Sequence, residues 1–176
     1  DYRRTATLSL LVDGKAYHEQ QVNIQAIDAN QFLLGVISPN TSLLNYVERI
    51  ELTGPIIHSK DVVSVRHLHL YDIAENSAAF RAVDALVFHD IDTSSLTPGQ
   101  KTALLNWVQA GGQLIISGGN TAQATASGLT ELMPVTLETG ISNQTSEALA
   151  QWLNVQDSQA ITFASNSVSP KPNTAT

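Results

Sequence analysis

The sequence predicts an α/β protein: a flavodoxin-like, doubly wound, mostly parallel sheet with helices on both faces, preceded by a β-hairpin. Three observations predict it. Residues 32–37, 62–70, 85–88 and 114–116 are short strand-like segments rich in apolar residues. Helical patterns separate them, and strands that alternate with helices imply parallel pairing through right-handed crossovers. Ahead of them, residues 5–12 and 16–24 alternate polar and apolar side chains around Asp13-Gly14. Asp-Gly supplies the positive φ that a two-residue hairpin turn requires.

Each element has its own signal. The hairpin reads either as the edge of a preceding β-sandwich module or as a ribbon packed on the main domain. Residues 32–37 (FLLGVI) form a continuous apolar run, as in a strand buried on both faces. Ser38-Pro39-Asn40 breaks it. Residues 41–50 then carry Leu43, Leu44, Val47 and Ile50 at helical spacing, with Asn40, Thr41 or Ser42 as the cap. Gly54-Pro55 ends that unit. Residues 62–70 (VVSVRHLHL) alternate as a second strand, 76–83 suit a short helix, and 85–88 (ALVF) a third strand.

The clearest local signal is Thr97-Pro98-Gly99-Gln100. Thr97 can cap a helix, Pro98 suits its first position, and Gln100 can complete a capping box. The helix runs to about Ala110, with Leu104, Leu105, Trp107 and Val108 inward or partly so, and Gly111-Gly112 stops it in a left-handed cap. After the fourth strand, Gly118-Gly119-Asn120 turns into a helical stretch near residues 121–127. Beyond Thr130 the pattern weakens to a strand over 133–137, a helix over 146–153 and a last strand over 161–164. The expected organisation is therefore a hairpin or β-module edge over 1–29, an α/β domain over 30–165, and a flexible tail over 166–176.

Composition narrows the function classes. Charged residues make up 14% of the 176 residues, against roughly 25% in typical soluble domains. Uncharged polar surfaces of this kind fit an exported domain. The net charge of −7 argues against a nucleic-acid footprint and against adhesion to anionic lipid. The absence of cysteine removes disulfides, thiolate nucleophiles and cysteine-based zinc sites together. No apolar run approaches the ~18–20 residues of a membrane span, so direct membrane insertion by this segment is not expected. Both ends read as cuts within a longer, membrane-associated parent.

The stretch 84–120 resembles the class I glutamine amidotransferase-like domain. The closer likeness is to its non-catalytic versions in exported or membrane-anchored bacterial proteins. The shared features are an aspartate before a buried strand (Asp84 to Phe88) and a Leu-Thr-Pro loop. They continue in a helix with Trp107, Val108, Gly111 and Gly112, and in a Leu-Ile-Ile-Ser-Gly-Gly strand end. The resemblance covers about residues 30–140. It implies a flavodoxin-like fold and a nucleophilic cysteine at the strand end, where this chain has Ser117. It also implies a downstream His-Glu pair, but no histidine follows His89. Amidotransferase activity is therefore not expected.

Other chemistry has candidates, each with a plainer reading. Ser117 on a strand-to-helix turn could act as a nucleophile with His89 as its base. The turn lacks the leading glycine of Gly-x-Ser-x-Gly, and the plainer reading is a turn residue or helix cap. His89, Asp90 and Asp92 sit at a strand's carboxyl end, where open α/β sheets bind ligands, and could hold a divalent ion. Their plainer role is to satisfy loop amides. His67 and His69 share a strand face but lack an evident third zinc ligand. Ser117, Gly118, Gly119 and Asn120 could meet an anion, or simply form a tight turn. Asn40-Thr41-Ser42 and Asn143-Gln144-Thr145 match the glycosylation triplet, which arises by chance in such chains.

These readings converge on a non-catalytic interaction domain of a larger bacterial envelope protein, placed outside the cytoplasm. Its expected partners are other proteins or other domains of the same parent, with no nucleic acid and no cofactor. The alternatives are a hydrolase using Ser117 and His89, or a sensor of a ligand or metal at the strand ends, with Asp90, Asp92, Ser117, Gly118, Gly119 and Asn120 as binding residues.

Overall fold

A computed structural model describes residues 3–25, 31–49, 62–148 and 161–171. The four predicted strands form one parallel sheet. They are β3 (Gln31–Ile37), β4 (Val62–Leu68), β5 (Ala85–Phe88) and β6 (Gln113–Ile116), in the order β4-β3-β5-β6. The register runs Gln31 to Val62 through Ile37 to Leu68 on one side of β3, and Leu34 to Ala85 through Ile37 to Phe88 on the other. The molecule is thus mixed α/β with a four-stranded parallel sheet and an N-terminal antiparallel hairpin.

The apolar runs belong inside because both faces of this sheet are covered. Side chains alternate across a strand. Ile37, Leu86 and Phe88 accordingly join Phe80, Leu96, Leu104, Trp107 and Leu129 in one core cluster. Leu34, Val36, Val63, Val65, Ala85 and Val87 form the other. Each fully buried aliphatic or aromatic side chain stabilises the fold by roughly 1.5–3 kcal/mol.

Helix α1 (Pro98–Gln109) lies over the first cluster and starts as its sequence predicts. The Gln100 N–H donates to Thr97 Oγ1 at 3.1 Å, and the Thr97 N–H donates to Gln100 Oε1 at 2.9 Å. Gln100 Nε2 also donates to the Ile73 carbonyl at 2.8 Å, joining the cap to the preceding loop. The short helix expected over 76–83 is one 3₁₀ turn, Ser77–Phe80, capped by Asn76. The helix expected over 41–50 is different. Leu44 has φ 63, a left-handed value that interrupts an α-helix, so residues 41–44 turn and Asn45–Arg49 continue as a 3₁₀ helix. Leu43, Leu44 and Val47 still pack inward on the second cluster, as their spacing predicts. No described α-helix packs on that cluster.

Asp84 has a structural place. Its Oδ2 accepts from the Leu33 N–H at 2.8 Å, its N–H donates to the Leu33 carbonyl at 3.0 Å, and its carbonyl accepts from the Gln113 N–H at 3.2 Å. One residue thereby fixes the entry of β5 between β3 and β6.

After the sheet come α2 (Ala122–Ala126), β7 (Val135–Leu137), β8 (Ser142–Ser146), β9 (Ile161–Ser165) and β10 (Val168–Pro170). β8 pairs with β9, and β10 pairs with β7. Within the stretch after Ser165, expected as a flexible tail, Val168–Pro170 pairs with β7 as a strand, and residues 172–176 lie outside the described residues. Of the helix expected over 146–153, Glu147 and Ala148 are helical and residues 149–153 lie outside the described residues. No helix among the described residues is long and apolar enough to cross a membrane.

The hairpin pairs β1 (Arg3–Val12) with β2 (Lys15–Gln25) around Asp13 (φ 50) and Gly14 (φ 74), with a register shift at Leu10/Leu11. Ala6 opposes Val22, Leu8 opposes Gln20, and Arg4 opposes Ile24. Ala6, Leu8, Leu10, Val22 and Ile24 therefore line one face, together with Arg4, His18 and Gln20. Thr5 with Asn23, and Ser9 with Glu19, hydrogen-bond on the opposite, polar face. Among the described residues, the extensive contacts of β1 and β2 are with each other. Leu8, Leu10 and Ile24 remain 61%, 57% and 49% exposed.

Candidate functional site

The carboxyl end of the sheet is built by the turns after β5 and β6. β5 is pinned at its end, where the His89 N–H donates to the Ile37 carbonyl at 3.0 Å. Asp90 follows with φ 52, a left-handed turn that aspartate tolerates better than most residues. The next loop is locked to α2 by a buried polar network. Thr93 and Thr125 are fully buried. Thr93 Oγ1 donates to the Thr125 carbonyl at 2.9 Å and accepts from the Gly128 N–H at 2.8 Å. The Thr93 N–H donates to the Ala124 carbonyl at 3.2 Å, and the Ile91 N–H to Thr125 Oγ1 at 3.3 Å. Sequence reading did not single out Thr93 or Thr125. Their partnership spans 32 residues and has no local pattern.

Asp92 has the plainer of its two expected roles. Its Oδ1 accepts from the Ser94 N–H at 2.9 Å and from Ser127 Oγ at 3.4 Å. The Ser94 backbone N–H, then the Ser94 and Ser127 hydroxyls, hold its carboxyl below the ordinary carboxylate range, while desolvation acts in the opposite direction. Among the described residues, no group of three or more His, Asp or Glu side chains is placed to hold a metal ion. His89, Asp90 and Asp92 therefore do not converge as ligands. Nor do His67 and His69. His67 Nε2 lies 2.8 Å from Asn45 Oδ1, and the His69 ring stacks on Tyr71 with centroids 5.0 Å apart.

Ser117 follows β6, and its N–H donates to the Phe88 carbonyl at 3.0 Å, continuing the ladder by one residue. Its hydroxyl is shielded from solvent and makes no hydrogen bond. It is consequently not hydrogen-bonded directly to the His89 ring, its partner in the alternative hydrolase reading. A serine hydroxyl without a bonded base stays protonated and is a weak nucleophile.

What Ser117 does meet is a cleft of about 470 Å³ between the end of β6 and the β7/β10 ribbon. Ser117, Gly118 and Gly119 line it, with Met133, Val135, Leu137 and Val168 as its apolar wall and Asn166 beside the turn. Asn120, His89, Asp90 and Asp92 lie outside this lining, and Asn120 is exposed. Asn166 is the residue that sequence reading missed. Its Oδ1 accepts from the Gly119 N–H at 2.7 Å, which fixes which end of the amide faces the turn. Its Nδ2 is then left shielded and without a partner.

A second cleft, of about 480 Å³, lies at the opposite edge of the sheet, beside Arg81, Asp84, Trp107 and Gly112. Asp84 there is engaged with β3, and no unpartnered buried polar atom faces that cleft among the described residues. Comparison with family models, with curated proteins and with solved structures finds no match for this chain.

Proposed function

We propose that this chain is a non-catalytic binding and interaction domain of a larger bacterial envelope protein, with a flavodoxin-like, class I glutamine amidotransferase-like scaffold. The observation that carries the interaction role is the hairpin's uncovered aliphatic face. A two-stranded ribbon is marginal in water by itself, and contiguous exposed apolar surface marks an interaction site. Ala6, Leu8, Leu10, Val22 and Ile24 share that face with Arg4, His18 and Gln20, and among the described residues no element of the α/β body packs extensively on it. Another domain of the parent, or a protein partner with an apolar sheet face, is the matching surface.

Several features support the scaffold. The strand order places the second strand outside the first and the third and fourth on its other side. The 3₁₀ segment after β3 packs on one face, and the segments after β4 and β5 pack on the other. The non-catalytic reading is supported by the unbonded Ser117 hydroxyl and by the absence of any histidine after His89. The envelope setting rests on the low charged content.

The double substitution Leu8→Asn, Leu10→Asn tests the interaction role. The melting temperature of the α/β body, followed through tryptophan fluorescence, is expected to stay within about 2 °C of the parent, because the face adds nothing to the core. Binding of an apolar fluorescent dye should fall at the same time. A drop of several degrees would place these leucines in this chain's own core and remove the basis for the interaction reading.

A further inference from the structure

We propose that the cleft at the end of β6 is a binding site for an uncharged ligand presenting a carboxamide with aliphatic flanks, the chemistry of a peptide segment rather than of a free amino acid. The inference rests on the reading of Ser117 as a binding group and not a nucleophile. It is independent of the hairpin.

Three observations meet there. First, Ser117 Oγ and Asn166 Nδ2 are two of the three shielded side-chain polar atoms left unpartnered among the described residues, and both belong to residues that line this one cleft. A shielded polar group without a partner costs free energy, so a ligand that satisfies it gains what the free protein lacks. Both residues are only part-buried. A change in Ser117 χ1 and a small rocking of the Asn166 side chain would bring the two atoms to the cleft surface.

Second, the polarity of the pair is defined. The Gly119 N–H engages Asn166 Oδ1, so the amide offers its NH₂ and acts as a donor. Ser117 Oγ can donate or accept. A donor beside such a hydroxyl matches a carboxamide, whose carbonyl accepts from Asn166 while its N–H donates to Ser117.

Third, among the described residues no ionisable side chain lines the cleft, and Met133, Val135, Leu137, Ala164 and Val168 supply its walls. A charged ligand would lose water without gaining a counter-charge, whereas aliphatic flanks would be buried favourably. The volume of about 470 Å³ is in the range of small-molecule sites.

The test is titration of the ¹⁵N-labelled chain with N-acetyl-leucine N-methylamide, alongside zwitterionic leucine and N-acetyl-leucine carboxylate. Saturable shifts are expected at the Gly118 and Gly119 amides and at the Asn166 side-chain NH₂, with the neutral probe alone. Asn166→Asp keeps the acceptor for Gly119 and deletes the donor, and should weaken binding about tenfold or more. Ser117→Ala should weaken it in the same direction. Equal or tighter binding of the carboxylate overturns the ligand class and leaves a cleft that binds. Failure of all three probes to shift these amides overturns the site itself, with the hairpin reading untouched. Recovery of cleaved probe would instead overturn the non-catalytic reading.

Discussion

Gly128→Ala is expected to be the most damaging single-methyl change in this protein. A Cβ built on Gly128 falls 1.9 Å from the Thr93 carbonyl oxygen and 2.7 Å from its carbon. Both obstacles are backbone, so no side-chain rotation relieves them. The pair is also held together, because the Gly128 N–H donates to Thr93 Oγ1 at 2.8 Å. Separating the two chains by the required distance breaks that bond and strains the Thr93–Thr125 contact behind it. Overpacking costs typically 1–3 kcal/mol, and each buried hydrogen bond left unmade costs about as much again. The sum is about 2–6 kcal/mol, against a total stability of roughly 5–15 kcal/mol for a domain. In a urea melt the midpoint should fall steeply, and the melting temperature by about 10 °C or more. A variant within a degree or two of the parent would show that Gly128 and Thr93 are not packed this closely.

Gly112→Ala is expected to be the second largest effect, for a different reason. Gly111 has φ +105 and ends α1 in a left-handed turn. The Gly112 N–H then returns to the Trp107 carbonyl at 3.0 Å, laying the Gly112 backbone against the indole. A Cβ here meets three Trp107 ring atoms at 2.2, 2.3 and 2.6 Å. Trp107 is buried and packs on Phe80 with ring centroids 6.0 Å apart, so displacing it disturbs the first core cluster. The expected cost is about 2–3 kcal/mol. A double-mutant cycle checks the cause. In a Trp107→Leu background the penalty of Gly112→Ala should largely vanish, giving a coupling of about 1 kcal/mol or more. Strict additivity would mean that the indole is not what Gly112 accommodates.

These two glycines mark what a sequence can and cannot disclose. Gly111-Gly112 was legible as a helix stop, because a left-handed cap follows a helix at a fixed offset. Its second purpose, making room for Trp107, was not. Gly128 carried no signal at all, since its partner Thr93 lies 35 residues away. β3, β5 and β6 were legible as short apolar runs, and β4 as an alternating one. Helix α1 was legible because a capping box is a local pattern. The segment over 41–50 shows where that reasoning stops. Leu43, Leu44 and Val47 pack inward as their spacing predicts and Ile50 lies outside the described residues, yet periodicity does not encode the left-handed backbone of Leu44 that interrupts the helix. β8 is an uninterrupted polar stretch, SNQTS, and no periodic signal announced it.

The candidate site divides the same way. Ser117, Gly118 and Gly119 were singled out because a turn after a buried strand is where an α/β sheet offers its backbone. Asn166 was not, because its contact with Gly119 spans 47 residues and depends on how β9 and β10 return to the sheet end. Asp92 of the β5 loop, another of the candidate ligands, accepts instead from Ser94 and Ser127.

The central claim is that the end of β6 binds without performing chemistry. Intact-mass analysis after exposure to a broad serine-reactive fluorophosphonate tests it most directly. The account predicts no adduct on the parent chain, because the Ser117 hydroxyl has no bonded base to activate it. A stoichiometric adduct that disappears in Ser117→Ala would contradict it.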